Sequence, residues 1–492
     1  MEGGRSRKGG LPRVFDVSEI VRENLDITLR KESTSDKTDC KNTGRVYTPR
    51  RVVDQILDLA GYRGPGIVGK RVVDNSCGDG AFLGAIVERY CRESRGNLKR
   101  ELEEFVFGIE IDERAIARCA ERLDEMAARF GARDVRWNLL RANALSVEQY
   151  DGTMDFVLGN PPYVRVHRLG DSFDAVKRFK FGRRGMTDLY LVFYEIGLNM
   201  LSENGTLAYI APSSFFNSVA GEAFRTRIVE DNLLASVVDL GHYQAFKAAT
   251  YNAIVVLQKN RAASTTKYYE YDGEPRRVDE LALEDLYFQN AFHFLNREDL
   301  RELKEILTLG VGDKFEVKNG FATLADSFFI GDSVPLSRSI PVVKASTGKW
   351  TRCVFPYENG KLVPWEELAR DAELRVFYGS AKQRLKKRSI TNRDEWYGFG
   401  RSQGIVDVPK RKFSINSLLR DEKDLKLVDC PPGTGVYGGL YVVSDVPFDE
   451  WRNALVSERF ARYVASLKKY KSGGYYTFSS KDLKTFLEYS FR

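Results

Sequence analysis

The chain has 492 residues, 43% hydrophobic and 12% aromatic, which is enough apolar sequence for two or three globular domains. A mean hydropathy of −0.37, with no uninterrupted apolar run of membrane-spanning length, argues against a helical membrane protein. The formal net charge of +7 is compatible with a polyanionic partner such as nucleic acid.

Cysteine and histidine usage argues against a structural metal site. The chain contains only three histidines, and its six cysteines include no Cys-x-x-Cys pair. Such scattered thiols are typical of a reducing compartment, and the Gly/Arg/Lys-rich N-terminus lacks the apolar segment of a secretory signal. We therefore expect a soluble cytoplasmic protein that needs no metal ion and no membrane.

The N-terminal region combines a polar segment with a helix start. Residues 1–42 are charge-rich, which predicts a flexible arm with one amphipathic helix around residues 17–29. Tyr47-Thr48-Pro49 then precedes apolar residues at helical spacing. Thr48 suits a helix N-cap and Pro49 a first helical position, and the free N–H groups of such a helix start can hold a carboxylate.

Residues 70–83 predict a strand, a glycine-containing turn and a helix. Glycines permit the tight turn and the close backbone approach to a ligand that nucleotide-binding βα loops require. Within this stretch the three-glycine dinucleotide fingerprint and the Gly-Lys-Ser/Thr of a P-loop are both absent, which disfavours phosphate binding here. Asp74 at the strand end suits a cationic ligand, such as an amino acid ammonium, instead.

The same strand–loop–helix pattern repeats along the next 90 residues. Residues 105–112 predict a second strand with the acids Glu110 and Asp112 near its end, where doubly wound folds commonly bind ribose hydroxyls. Asn143-Ala144 follows the apolar run 135–140 as a third loop of this kind. The repetition predicts βαβ units and a parallel sheet.

The short apolar run 156–158 ends in Asn160-Pro161-Pro162-Tyr163. Two prolines forbid helix at their own positions, so the pattern predicts a rigid loop at the carboxyl end of a buried strand, where open α/β sheets bind ligands. The loop offers an amide that can accept hydrogen bonds from an exocyclic amine, and a ring that can stack on a base. A proline-rich turn that merely caps the strand is the alternative.

Taken in this order, the motifs resemble the S-adenosylmethionine-dependent N6-adenine DNA methyltransferases of restriction–modification systems. The likeness is to the γ arrangement of the Asn-Pro-Pro-Tyr class, as in Taq-like and Eco57I-like methylases, and runs from about Tyr47 to Lys259. It implies a Rossmann-like α/β methyltransferase domain with a mixed sheet and a reversed edge strand over residues 43–285. An α+β target-recognition domain over residues 286–492 is implied after it.

The resemblance also implies roles for individual residues. Asn160, Pro161, Pro162 and Tyr163 are the implied catalytic loop, and Phe246 would face Tyr163 across the flipped adenine. Tyr243 lies near Phe246 in sequence, and plain core packing is the alternative for Phe246. The implied cofactor-binding residues are Tyr47, Thr48, Asp74, Cys77, Gly78, Gly80, Phe82, Glu110, Ile111, Asn143, Ala144 and Asn160.

Two positions depart from the family pattern. Asn75 stands where members commonly have proline, and Asn143 stands where they often have aspartate. The carbonyl oxygen of Asn143 can still accept a hydrogen bond from the cofactor's adenine amine.

Basic residues interleaved with aromatic ones indicate DNA-contacting surfaces. Residues 164–187 form an Arg/Lys/Gly-rich segment that suits phosphate contacts or a closing lid, with a solvated loop as the alternative. Two further clusters lie near residues 382–388 and 468–476. The candidate DNA-binding residues are Arg165, Lys382, Lys386, Lys387, Lys469 and Tyr470.

The last part of the first domain predicts an antiparallel pair of strands, 237–240 and 253–257, at the sheet's edge, because their connection is too short for a crossover helix. Residues 260–285 are polar and predict a linker or a small excursion of the chain. From about Asn290 the predicted strands are irregular, and the repeating βαβ pattern is absent from the sequence.

The sequence therefore predicts a monomeric DNA methyltransferase that uses S-adenosylmethionine on adenine N6 in double-stranded DNA, with any cognate restriction endonuclease in a separate chain. Action on RNA or protein glutamine, and a DNA-binding protein whose chemistry has decayed, are the alternatives. The large C-terminal region argues against the first, and the intact loop at Asn160 against the second.

Overall fold

The computed structural model describes residues 48–165, 173–184, 187–246 and 250–492. The predicted N-terminal arm with its helix, and Tyr47, lie outside these ranges. No helix within them is long and apolar enough to cross a membrane.

A nine-stranded sheet forms the centre of the first part of the chain, in the order β3-β2-β1-β4-β5-β7-β6-β8-β9. Neighbours among β1 to β5 pair in parallel, and β7 is antiparallel to both β5 and β6. The predicted α/β class and mixed sheet are confirmed. The strands are β1 (Val72–Asp74), β2 (Val106–Glu110), β3 (Asn138–Arg141), β4 (Met154–Gly159), β5 (Leu201–Pro212), β6 (Leu234–Asp239), β7 (Asn252–Gln258), β8 (Thr265–Tyr271) and β9 (Pro275–Ala282).

Alternate residues of the central strands enter two different hydrophobic clusters. Val73 and Val157 belong to one cluster, and Val72 and Leu158 to the other. Since successive strand residues point to opposite faces, both faces of the sheet are buried. The helices that cover them are α1 (Arg50–Leu59), α2 (Ala81–Glu93), α3 (Leu98–Phe105), α4 (Glu113–Ala128), α5 (Phe173–Lys177), α6 (Leu189–Met200) and α7 (Glu222–Glu230).

Two predictions about the far side of the sheet are wrong. Strands β6 and β7 do pair antiparallel, but β7 lies inside the sheet between β5 and β6. Residues 260–285 are not a linker, because β8 pairs with β6 and β9 pairs with β8. The alternation of buried Thr266 and Tyr268 with exposed Lys267 is the period-2 pattern of a strand.

The C-terminal part is built from smaller sheets: β12-β21-β17-β19, β14-β13-β20 and β18-β23-β22, with the hairpins β10-β11 and β15-β16. Its strands are β10 (Tyr287–Phe288), β11 (Ala291–Phe292), β12 (Phe315–Asn319), β13 (Ser339–Lys344), β14 (Lys349–Val354), β15 (Tyr357–Glu358), β16 (Lys361–Leu362), β17 (Lys412–Ile415), β18 (Leu418–Leu419), β19 (Leu427–Cys430), β20 (Gly435–Tyr437), β21 (Leu440–Ser444), β22 (Tyr470–Lys471) and β23 (Tyr475–Thr477). Its helices are α8 (Leu283–Leu286), α9 (Arg297–Leu309), α10 (Asp326–Phe329), α11 (Trp365–Leu368), α12 (Ala372–Lys386), α13 (Phe448–Leu455), α14 (Glu458–Ser466) and α15 (Ser480–Ser490).

The hydrophobic core crosses the predicted domain boundary at residue 285. Val73 and Tyr194 belong to the same buried cluster as Phe315, Trp451 and Leu487. A second core, around Phe329, Tyr378 and Trp396, lies within the C-terminal part alone.

Candidate active site

Parallel pairing brings three predicted site residues to one edge of the sheet. Strand β1 lies between β2 and β4, and all three run in the same direction. Asp74 and Glu110 end β1 and β2, and Asn160 directly follows β4. The carboxyl ends of these strands therefore form one site.

Asp74 is a buried carboxyl group, only 2% exposed. Its Oδ1 accepts a hydrogen bond from the Ser76 N–H at 3.0 Å. Burial, with a smaller contribution from Glu110, raises the pKa of Asp74 to about 8. A nearby cation would relieve this cost, which fits the predicted cationic ligand.

Gly159 makes room for the Asp74 side chain. A Cβ atom at Gly159 would lie 2.6 Å from Asp74 Oδ1, which is too close for any real contact. The glycine is therefore required by the carboxyl group on the neighbouring strand. Sequence analysis did not single it out, although a glycine inside a strand is a known signal of close approach.

The turn between β1 and α2 is shaped by two glycines in the left-handed region, Gly78 with φ +54° and Gly80 with φ +85°. The Gly78 N–H donates to Glu110 Oε2 at 3.0 Å, and the Asp112 N–H donates to Oε1 at 2.8 Å. A carboxylate has about four lone-pair sites, so these two bonds leave capacity for ribose hydroxyls. A Cβ at Gly78 would meet nothing within 4 Å, which shows open space above the turn.

Other predicted cofactor residues divide into exposed and structural ones. The Ile111 side chain, next to Glu110, is 64% exposed and offers an apolar surface at the site. Phe82, Cys77 and Ala144 are buried in the hydrophobic clusters, which gives their side chains a packing role. The carbonyl oxygen of Asn143 accepts a hydrogen bond from the Leu145 N–H at 3.1 Å and so caps a short 3-10 turn.

Together these residues fit S-adenosylmethionine, the ligand that the resemblance implies. Asp74 and Glu110 offer carboxyl groups to an ammonium and to ribose hydroxyls, and Ile111 offers an apolar face to a base. The open turn at Gly78 admits a ligand against the backbone.

Asn160 is held through both its side chain and its backbone. Its Nδ2 donates to Thr48 Oγ1 at 3.1 Å, and Ser76 Oγ donates to the Asn160 carbonyl at 3.3 Å. The prediction of Thr48 as the helix N-cap is wrong by one residue, because α1 begins at Arg50 with Pro49 at the N-cap. Since Thr48 does not cap the helix, its hydroxyl is available to orient the Asn160 amide.

Tyr163 and Phe246 come together as predicted, but not as parallel faces. Their ring centroids are 6.2 Å apart and the ring planes meet at 71°, an edge-to-face contact. Tyr163 also donates its hydroxyl to the Ile210 carbonyl at 2.9 Å. Since the two rings contact each other directly, a base that stacks on Tyr163 would have to displace the Phe246 ring.

Asn75, a departure from the family pattern, is fully buried behind the site. Its carbonyl oxygen accepts a hydrogen bond from the Tyr209 hydroxyl at 2.8 Å. Its Nδ2 has no hydrogen-bond partner among the described residues. Tyr209 on β5 thus supports the first turn, a long-range contact that no local pattern indicates.

A cavity of about 660 Å³ lies beside Tyr163, between the two parts of the chain. Arg165 and Ser214 line it from the first part, and His293, Lys468 and Lys469 from the second. Arg165 is half exposed, with its Nε 4.0 Å from Asp188, whereas Lys469 donates to Asp482 at 2.6 Å. A cleft with basic residues on both walls is large enough to hold part of a nucleic acid strand.

Tyr470, one of the residues predicted to contact DNA, is largely buried. Tyr470 is 9% exposed, and its hydroxyl donates a hydrogen bond to Asp239 at the end of β6. Its hydroxyl is therefore used inside the protein, while the residue also lines the cavity beside Tyr163.

The lysines of α12 remain accessible. Lys382, Lys386 and the adjacent Lys387 are exposed, and none forms an ion pair with another described residue. Lys382 lies 5.3 Å from the centre of the Trp396 ring. This surface stays a candidate for contacts with phosphate groups.

The basic segment 164–187 is only partly a loop. Within its described residues, 164–165, 173–184 and 187, Val176 and Phe181 are buried. The N–H groups of Lys180 and Phe181 donate to Glu195 on α6. These contacts anchor residues 173–184 to the sheet's helical layer, so this part of the segment is not a solvated loop.

Comparison with known proteins agrees with this geometry. Residues 110–246 match the family model of the Eco57I restriction-modification methylase. The Type II methyltransferase M.BstVI of Geobacillus stearothermophilus is 32% identical over 239 residues, which cover 44% of this chain and 42% of that protein. The Type II restriction enzyme and methyltransferase RM.Eco57I of Escherichia coli is 23% identical over 543 residues, which cover 86% of this chain and 54% of that protein.

A solved structure, the Type IIL restriction-modification enzyme MmeI in complex with DNA, has the same fold. The TM-score is 0.60 at 14% identity, and the match covers 93% of this chain and 66% of that chain. The chain spans about half the length of the two curated relatives. Its residues 110–246 are similar to methylases of the Eco57I-like kind, for which S-adenosylmethionine is the implied methyl donor.

Proposed function

We propose that this protein is a site-specific DNA methyltransferase that transfers a methyl group from S-adenosylmethionine to N6 of adenine in double-stranded DNA. In this proposal it is the modification component of a restriction–modification system. The observation that carries the proposal is the fixed Asn160 amide. It lies at the end of β4, bonded to Thr48 and Ser76, beside the ends of β1 and β2, which carry Asp74 and Glu110.

The chemistry requires positioning more than a strong base. The exocyclic amine of adenine is a weak nucleophile because its lone pair is delocalised into the ring. The Asn160 amide oxygen and the Pro161 carbonyl would accept its two N–H bonds and localise that lone pair. Bound S-adenosylmethionine supplies the electrophilic methyl group.

The Asn160 side chain is pre-oriented for this task. Its nitrogen is bonded to the Thr48 hydroxyl, so the amide oxygen faces away from Thr48. The Ser76 hydroxyl holds the Asn160 carbonyl, which fixes the backbone that leads into Pro161. No rearrangement of the amide is then needed at the moment of reaction.

DNA suits the cleft between the two parts of the chain. The target amine cannot be reached inside a duplex, so the base must be flipped out of the stack. Tyr163 would stack on the flipped base once Phe246 moves aside, at about 1–3 kcal/mol for each stacked ring. Arg165 and the exposed α12 lysines would contact phosphate groups, and these contacts weaken as salt rises.

The test is methylation by purified protein with labelled S-adenosylmethionine and unmodified genomic DNA, followed by single-molecule sequencing of the product. We expect N6-methyladenine within one short sequence. Asn160→Ala should abolish transfer while cofactor affinity changes by only a few-fold, since Asn160 would act on the target amine. Asn453→Ala, at an exposed position of α13, is the matched control and should keep full activity.

Other outcomes would overturn the proposal. Label found on cytosine would exclude adenine as the target, and label found only on RNA or protein would exclude DNA. Full activity of Asn160→Ala would refute the role given to the amide.

A further inference from the structure

The β6–β7 connection carries Phe246, and its first residues are held by a buried carboxylate. Asp239, the last residue of β6, is 2% exposed, and its Oδ1 accepts a hydrogen bond from the Gly241 N–H at 3.0 Å. Gly241 has φ +52°, so the chain turns sharply there. The Leu240 N–H donates to the Asn252 carbonyl at 3.1 Å and keeps the turn against β7.

The second oxygen of this carboxylate binds the C-terminal part of the chain. Tyr470, on β22, donates its hydroxyl to Asp239 Oδ2. The two residues are 231 positions apart in the sequence. The start of the β6–β7 connection is thus bonded to the recognition part through one buried hydrogen bond.

Lys468 provides a second link from the same segment. Its Nζ lies 3.7 Å from Asp239 Oδ2 and 3.4 Å from Glu270 Oε1, and it donates to the Tyr268 hydroxyl at 3.2 Å. Lys468 has φ +52°, a conformation that is uncommon for a residue with a side chain. Such a backbone persists only where surrounding contacts determine it.

Aromatic packing continues the contact into the connection itself. The His242 ring lies 5.0 Å from the Tyr470 ring and 4.9 Å from the Tyr476 ring, both edge-to-face. Four residues later, Phe246 is 7% exposed and contacts Tyr163. The path from the C-terminal hairpin to the catalytic loop is therefore continuous: Tyr470, Asp239, the turn at Gly241, and Phe246.

We propose that Tyr470 is a positioning residue, which couples the recognition part to the chemistry by fixing the start of the β6–β7 connection, so that Phe246 stays beside Tyr163 and, once displaced by the flipped base, packs against that base. The inference rests on the proposed function for its catalytic consequence only. The structural link itself exists in the free protein and can be tested without DNA or cofactor.

The first test is hydrogen exchange in the free full-length chain. In Tyr470→Phe the hydroxyl is lost, and Gly241 and Lys468 are the partners that Asp239 keeps among the described residues. Amides of residues 240–246 should exchange about 10- to 100-fold faster, the factor expected for losing one hydrogen bond to a buried charged group. Tyr475→Phe is the matched control, because Tyr475 lies on the same hairpin with its ring under Arg420, and its exchange should equal that of wild type.

The second test separates positioning from binding. In Tyr470→Phe we expect kcat to fall by at least tenfold while the KM for S-adenosylmethionine stays within twofold, because Asp74 and Glu110 are untouched. Asp239→Asn, which also weakens the link, should show the same split. It provides the comparison if Tyr470→Phe melts at a clearly lower temperature.

The outcomes are distinct. Unchanged exchange at residues 240–246 in both variants would overturn the positioning role, whatever the activity. A rise of KM without loss of kcat would also overturn it. If wild-type protein fails to methylate DNA, the proposed function fails, whereas faster exchange in Tyr470→Phe but not Tyr475→Phe would still establish the link.

Discussion

The pH dependence of cofactor binding follows from the state of Asp74. Burial raises the pKa of this carboxyl group from its ordinary value of 3.8 to about 8. A cationic ligand is attracted only by the ionised form, so binding must be accompanied by loss of the proton. We therefore predict that cofactor affinity rises with pH up to about 8 and then levels off.

The magnitude follows from the fraction ionised. With a pKa of about 8 in the free protein, about one molecule in ten is ionised at pH 7 and about one in a hundred at pH 6. Each pH unit below 8 thus costs about tenfold in affinity, or about 1.4 kcal/mol. The stability of the free protein depends on pH in the opposite direction. Below pH 3.8 the raised pKa of Asp74 costs no stability, and as the pH rises from there towards 8 it lowers the free energy of unfolding progressively.

Calorimetric titration with S-adenosylhomocysteine between pH 6 and 8, in buffers of different ionisation enthalpy, measures both affinity and proton release. We expect close to one proton released per ligand bound at pH 6 to 7. Asp74→Asn, which cannot ionise, should bind weakly at every pH and show a flat profile. A flat profile in wild-type protein, or affinity that falls with rising pH, would refute the reasoning.

Substitutions of Gly159, Tyr163 and Asp407 test three separate contacts. Gly159→Ala places a Cβ atom 2.6 Å from Asp74 Oδ1 and should weaken cofactor binding at least tenfold by calorimetry. Gly379→Ala is the control, because a Cβ atom there meets nothing within 4 Å, and it should be neutral or slightly stabilising. Equal cofactor affinities of the two variants would contradict the packing argument. Tyr163→Phe loses the hydrogen bond to the Ile210 carbonyl, worth about 1 kcal/mol, and should slow methyl transfer about fivefold. Tyr163→Ala also loses the ring that would stack on the base. Fluorescence of 2-aminopurine at the target position should separate the two variants, and equal losses would reject stacking. The pKa of Asp407 is lowered to about 2 because hydrogen bonds from Lys318, Tyr441 and Lys410 outweigh burial. Its contribution to stability is therefore complete above pH 3.8 and is lost as the pH falls through about 2. Asp407→Asn should lower the free energy of unfolding by about 2 kcal/mol in urea at pH 7, and an unchanged unfolding midpoint would show that the network is dispensable.

The sequence predicted those features that depend on local pattern and on the rule that parallel strands align their carboxyl ends. Asp74, Glu110 and Asn160 were placed in one site because each follows an apolar run. The pairing of β8 and β9 onto the sheet was missed, although the alternation around Tyr268 was readable, because polar composition was weighted above periodicity. Tyr470 was assigned to a DNA-contacting surface because of its basic neighbours, and its bond to the buried Asp239 has no local signal.

Contacts between distant segments could not be predicted in this way. The bond from Asn160 to Thr48 joins residues 112 positions apart, and that from Asp239 to Tyr470 joins residues 231 apart. Neither residue pair carries a spacing that a single sequence displays. Their existence depends on how strands and hairpins assemble, which only the three-dimensional structure provides.

These distant contacts share one physical consequence for the site. Asn160 is oriented by Thr48 from the start of α1 and by Ser76 from the first turn, and Phe246 is approached from the C-terminal hairpin through Asp239. The α1 helix is buried in a hydrophobic cluster of the first part of the chain, and the C-terminal hairpin packs through Tyr476 against a cluster that both parts share. A loop held at several points loses little freedom when a target base enters, so the cost of ordering is met on folding and not during catalysis. A cluster that crosses residue 285 also means that removal of the C-terminal part would uncover apolar surface next to the site, and the two parts are expected to unfold together.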